Sequence, residues 1–240
     1  MTDGDGVGVV GWSYSTAMSR KATRAEKPRA SGVQLGELGA RTRILQGAAN
    51  IFADVGVRAA SVEDILKTAG VSRRTFYRLY DSKESVMVAL YRMGTDSLLG
   101  ACTIAVSEGT TPLARIQGCI DAHLRSAREF GRLVFVLGGE AHRHESLLHA
   151  RRMDVHEALA SLFVTATRGH LSRPVDPLLF RALILALEGV TRFMLEEGDE
   201  GRNVTEAGLD RARRVMTHLV SAALDLKAPD ALPPPPPEGG

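Results

Sequence analysis

The sequence predicts an all-α protein. Apolar residues recur at intervals of three and four, and Ser, Asp, Gly and Pro punctuate them at helix-sized distances. No run of alternating apolar and polar residues argues for a sheet. With 240 residues, 44% hydrophobic and 24% charged, the chain can bury one mid-sized core or carry a small domain on a larger one.

The elements follow in order. Residues 1–37 are rich in Gly, Ser and Ala without apolar period and are expected to lack structure, with five bases and one acid in SRKATRAEKPR (19–29) as a possible arm for phosphates. Ile44, Ala48, Ile51, Phe52 and Val55 make a helical stripe that Gly56 stops. Ser61 opens a second, short helix: S-V-E-D supplies an N-cap and acids in the first turn, then Ile65 and Leu66 form the buried face. Ala69-Gly70 breaks it, Ser72 caps a third helix from Arg73 to Tyr80, and Asp81-Ser82 caps a fourth running through Val86, Leu90 and Met93 towards Val106. Further helices are expected at 112–129, 131–142, 145–170, 177–197 and 205–226. The tail PDALPPPPPEGG reads as polyproline II outside any core.

Charge is unevenly spread. Residues 20–93 hold fourteen Lys/Arg against seven Asp/Glu, whereas 94–240 hold sixteen against nineteen. Arginine outnumbers lysine throughout, so the asymmetry matters more than the count. It points towards a polyanion partner. No stretch of about 18 apolar residues suggests a membrane span. The opening MTDGDGVGVVGW lacks the order of a signal peptide, and a cytoplasmic protein is expected. Cys102 and Cys119 sit in helix-like apolar stretches and read as buried thiols.

Two short helices joined by the AGVS turn form a helix-turn-helix, whose second helix is able to lie in a major groove. At about 100° per residue, Val71, Phe76 and Leu79 turn inward and Arg73, Arg74, Tyr77 and Arg78 turn outward. Arginine forks onto guanine, and tyrosine meets a phosphate or a thymine methyl. Ser72 and Thr75 offer hydroxyls near the helix start, and Lys83 is a candidate phosphate anchor. With Ser61 at the start of the preceding helix, these residues make up the expected DNA-contacting set.

The segment RTRILQGAANIFADVGVRAASVEDILKTAGVSRRTFYRLYDSKESVMVAL resembles the N-terminal DNA-binding domain of the TetR family of bacterial regulators over roughly residues 39–90. The shared features are the I-L-x-x-A-x-x-x-F face, Gly56, S-V-x-D-I, A-G-V-S, T-F-Y and S-K-E. Arg74 stands where glycine is common, which adds a base reader and points to a distinct operator, and Leu79 where histidine is common, which weakens any phosphate contact assigned there. The resemblance implies a DNA-binding domain at 38–98, a C-terminal ligand and dimerisation domain at 99–227, and a homodimer paired through its last two helices. Here these are 177–197, with Leu178, Leu179, Leu183, Leu187 and Val190, and 205–226. A double-stranded DNA operator and a small-molecule effector are the partners it implies, with repression the expected sign.

EAHRHESLLHARRMDVHEA (140–158) holds four histidines, but His144-Glu145-x-x-x-His149 is one residue too long for the zincin spacing. No metal site is expected. A ligand pocket could draw on His142 and His149 with Phe130, Phe135, Phe163 and Phe193. The sequence holds no P-loop, dinucleotide fingerprint or Ser/His/Asp arrangement, so neither catalysis nor a cofactor is expected. Two other readings fit less of the pattern. One is a non-specific architectural DNA binder, and the other a metal-dependent enzyme built on the 140–158 histidines.

Overall fold

The computed structural model describes residues 30–171 and 174–226, with side chains from residue 36 onward. The basic arm at 19–29 and the proline-rich tail lie outside the described residues. Eight helices and no strand occur among those described: α1 (Ala30–Val55), α2 (Val62–Ala69), α3 (Arg73–Leu79), α4 (Lys83–Glu108), α5 (Pro112–His142), α6 (His149–Thr167), α7 (Pro177–Glu197) and α8 (Glu206–Leu224). α1 begins within the stretch expected to lack structure. No helix among the described residues is long and apolar enough to cross a membrane.

Local chemistry sets the early boundaries. Gly56 ends α1 at φ +84°, a conformation that costs a residue with a Cβ. Ser61 and Asp64 form a reciprocal capping box: the Asp64 N–H donates to Ser61 Oγ at 3.2 Å, and the Ser61 N–H donates to Asp64 Oδ2 at 3.0 Å. Gly70 closes α2 in the left-handed conformation, so the chain turns within two residues into Ser72, the cap of α3. A second box, Ser82 with Ser85, starts α4.

Two apolar clusters fill the molecule. Ile44, Ala48 and Phe52 of α1 meet Ile65, Ala69, Phe76 and Val86, and the same cluster takes in Leu137, Ala141 and Leu148 from later in the chain. α1 and α2 pass so closely that a Cβ on Gly47 would lie 3.0 Å from the Ala69 nitrogen. The larger cluster joins α4–α8 around Ile116, Leu124, Phe163, Ile184, Leu195, Met216 and Val220. α4 runs unbroken through both, so the boundary expected near residue 98 falls inside a continuous helix.

The helices expected at 112–129 and 131–142 are one element, α5, bent where Phe130 leaves helical geometry (φ −129°, ψ 26°). The neighbouring Gly131 explains the bend. A Cβ there would come within 2.6 Å of the Gly201 carbonyl oxygen, so only a glycine lets the α7–α8 loop press onto this point. Just past it, Arg132 donates from Nε to the Ala53 carbonyl of α1 at 3.0 Å and from Nη1 to the Glu200 carboxylate. One side chain thus ties α1 to the α7–α8 loop.

Candidate DNA-binding surface and ligand cavity

α3 turns its apolar side inward as its spacing predicts. Phe76 is fully buried with its ring edge-on to Tyr77, and Tyr80 is buried under the guanidinium of Arg41. Ser72, Arg73, Arg74, Tyr77 and Arg78 are exposed, and Thr75 is half-buried with its hydroxyl 2.9 Å from Ser72 Oγ. Six of the eight residues expected to contact DNA therefore share one outward face. Ser61 is exposed at the start of α2, its hydroxyl engaged by Asp64.

Neighbouring helices bring acids to this face: Arg73 pairs with Glu63 of α2, and Arg78 Nε lies 3.5 Å from Glu37 of α1. Arg74 has no ion-pair partner among the described residues. Lys83 departs from expectation. Its ammonium donates to the carbonyls of Val57 (2.9 Å), Arg58 (3.3 Å) and Ala60 (2.6 Å), closing the α1–α2 loop onto the start of α4. The expected phosphate anchor is a structural clasp, because a loop leaving a helix end exposes carbonyls that need a donor.

The second site is a cavity of about 380 Å³ bordered by α4–α8 and open on one side. Phe130, Phe135, His142 and Phe163 line it, as the sequence suggested. His149 and Phe193 do not. His149 stacks edge-on against His144 at the start of α6, and Phe193 points outward, 67% exposed. Its place on α7 explains this: the inward stripe is Phe180, Leu183, Ile184, Leu187, Thr191, Met194 and Leu195. Of the α7 residues expected to pair, Leu183 and Leu187 belong to the protein's own core and Leu178 is 67% exposed, with Leu185 (50%) and Phe193 exposed on the same helix.

The cavity's polar chemistry comes from residues the sequence did not single out. Glu188 of α7 accepts from Arg152 Nε at 2.9 Å and Nη2 at 2.5 Å, and from His156 Nε2 at 3.3 Å. Burial would raise this carboxyl, but the bonds and charges of His156 and Arg152 outweigh it and bring it down from 4.5 to about 2. His142 donates from Nδ1 to the Gly138 carbonyl at 2.7 Å and accepts from Arg152 at 3.2 Å. Burial, reinforced by the charge of Glu188, pushes the Tyr91 phenol up to about 12. Cys102 and Cys119 are buried free thiols on the same wall. A lone glutamate inside the apolar run LILALEGV was the signal available, since burying a carboxylate requires a cation such as Arg152 nearby. No group of three or more His, Cys, Asp or Glu side chains among the described residues is arranged to hold a metal ion.

Comparison with known proteins converges on the same architecture. Residues 44–90 match the family described as bacterial regulatory proteins, tetR family. The KstR2 transcriptional repressor of Rhodococcus jostii is 35% identical over 85 residues, 35% of this chain and 42% of that protein, so the match spans less than half of that relative. Among solved structures, the fatty acid degradation regulator FadR of Bacillus halodurans superposes with a TM-score of 0.64 at 18% identity, covering 81% of this chain and 97% of that one. FadR of Bacillus subtilis in complex with stearoyl-CoA also gives 0.64 at 18% identity, covering 75% and 97%. At that identity the two structures speak for the fold alone. Capped α2, the left-handed turn at Gly70, the basic outward face of α3 and the matched segment lead together to one statement: residues 44–90 of this chain are similar to the bacterial regulatory proteins of the tetR family.

Proposed function

We propose that this protein is a transcriptional repressor that binds a palindromic operator as a homodimer and leaves it when a small molecule fills the cavity. The observation that carries the reading is the joining of an arginine-rich recognition face to a ligand-sized cavity by one unbroken helix, α4. Arg74, exposed and unpaired, reads bases. Arg73, Arg78 and Tyr77, with Ser61, Ser72 and Thr75, fix the register on phosphates.

Two copies pair through the exposed α7 stripe of Leu178, Leu185 and Phe193, with α8 alongside. Pairing sets the recognition helices about 34–36 Å apart, or a near multiple. A ligand that favours a form with another spacing lowers operator affinity by its differential affinity for the two forms. The domain division near residue 98 is kept in this functional sense: recognition before it, ligand and pairing after it.

The test is selection of bound sites from random DNA by the full-length protein, followed by footprinting. An inverted repeat protected over two successive major grooves is expected, with release of the DNA by a subset of apolar small molecules. Uniform coating of DNA without a preferred sequence would overturn the repressor reading and favour an architectural binder.

A further inference from the structure

His123 of α5 stands on the cavity wall with Nε2 2.9 Å from the hydroxyl oxygen of Thr191. A threonine hydroxyl carries one proton, and the Leu187 carbonyl four residues earlier on the same helix lies 3.3 Å from it. In the arrangement where Thr191 makes that helical back-bond, the hydroxyl accepts from His123 and the ring carries its proton on Nε2. Nδ1 is left as a lone-pair acceptor with no donor among the described residues. Burial holds this imidazole below its ordinary range, with the nearby His156 adding to the effect and Glu188 opposing it, so the ring stays neutral.

The neighbouring groups narrow what belongs beside that nitrogen. Glu188 is already matched by Arg152 and His156, so it has no need of a cationic guest, and beside Nδ1 an ionised carboxylate has no proton to give. Tyr91 keeps its proton and adds a second neutral hydroxyl to the wall. Leu98, Ile120, Leu133, Phe163, Leu187 and Met216 give the lining its apolar surface, while Arg125 and Glu129, both exposed, and the half-buried Arg192 add charge to it.

We propose that the cavity selects an uncharged aliphatic alcohol, whose hydroxyl donates to His123 Nδ1 while its hydrocarbon body fills the apolar walls. The proposal rests on the reading of the cavity as the effector site. An ether of the same shape leaves the acceptor nitrogen without a proton, and an ionised carboxylate, which only accepts, sets its own lone pairs against it.

The experiment is calorimetric titration of the full-length protein with 1-decanol, decyl methyl ether and decanoate at neutral pH. Decanol is expected to bind about tenfold more tightly than the ether, the cost of one unmet buried acceptor, with decanoate weaker still. His123→Leu should bring alcohol and ether to similar affinity. His123→Gln, whose amide oxygen accepts a proton, should restore part of the preference and guards against a variant that merely misfolds. Equal binding of alcohol and ether, tighter binding of decanoate, or a preference that survives in His123→Leu would each overturn the proposal alone. Failure of all three compounds to bind would overturn the cavity reading and the proposal with it.

Discussion

The recognition helices and the cavity helices meet opposite packing demands. Around α1–α3 the backbones close up until a methyl group on Gly47 would press on Ala69 at 3.0 Å, and buried side chains such as Ile44, Phe52, Ile65 and Phe76 fill the centre. Around α5–α8 the walls stand apart, leaving about 380 Å³, and charged groups hold the inner faces. A surface that must fit one rigid object gains from eliminating space. A site that must admit a guest needs its space kept, and a buried pair such as Arg152–Glu188 fixes two helices without filling the gap between them.

Substitutions in each half test that contrast, the largest effect first. Phe76→Ala should cost about 3–5 kcal/mol in urea denaturation, because a fully buried aromatic in a closed core leaves a hole the helices cannot collapse into. DNA binding should disappear with it. Glu188→Gln should cost about 2 kcal/mol, less than a fully buried pair because the carboxylate side chain keeps 24% exposure.

The same carboxyl gives a pH signature. Its value is lowered on folding from 4.5 to about 2, so its stabilisation is present above pH 4.5 and is lost as pH falls towards 2. Urea midpoints recorded across that window should slope less in Glu188→Gln than in the parent. His123 has its effect at higher pH: its value is lowered from 6.5, so the stability it contributes is full above that pH and declines below it.

Lys83→Met should lower stability by about 1–3 kcal/mol, since the loop carbonyls of Val57, Arg58 and Ala60 lose their donor. Operator affinity measured well below the unfolding range should hardly change. Arg74→Ala should do the reverse, weakening operator binding by about 1–3 kcal/mol and relaxing one base position while the urea midpoint stays put. If Lys83→Met instead flattened the salt dependence of DNA binding with stability intact, the clasp would be the wrong description. Smallest of all, Arg73→Ala should leave the urea midpoint unchanged, because its ion pair with Glu63 is formed in water.

The recognition half was legible because its signals are local. Ser61, Asp64, Gly70 and Ser72 act on neighbours within a few residues, and the inward turn of Phe76 follows from helical period alone. The role of Lys83 was not legible, since its partners lie 23–26 residues upstream and only the fold brings them near. The cavity was half legible. Phe130, Phe135, His142 and Phe163 lay where apolar and imidazole groups suggested, but His123, Arg152 and Glu188 gain meaning only when α5, α6 and α7 converge. Phe193 and His149 failed for a related reason: residue type does not reveal which side of a helix meets its own core.

The bend at Phe130 makes α5 a jointed rod. Both arms border the cavity, and the second also carries Arg132, bolted to α1 at one end and to the α7–α8 loop at the other. A tilt of the first arm need not be shared by the second, because the hydrogen-bonded spiral that would transmit it is interrupted at the elbow. Were a guest to shift the first arm, the Arg132 brace would still hold α1, the second arm and the α7–α8 loop in step.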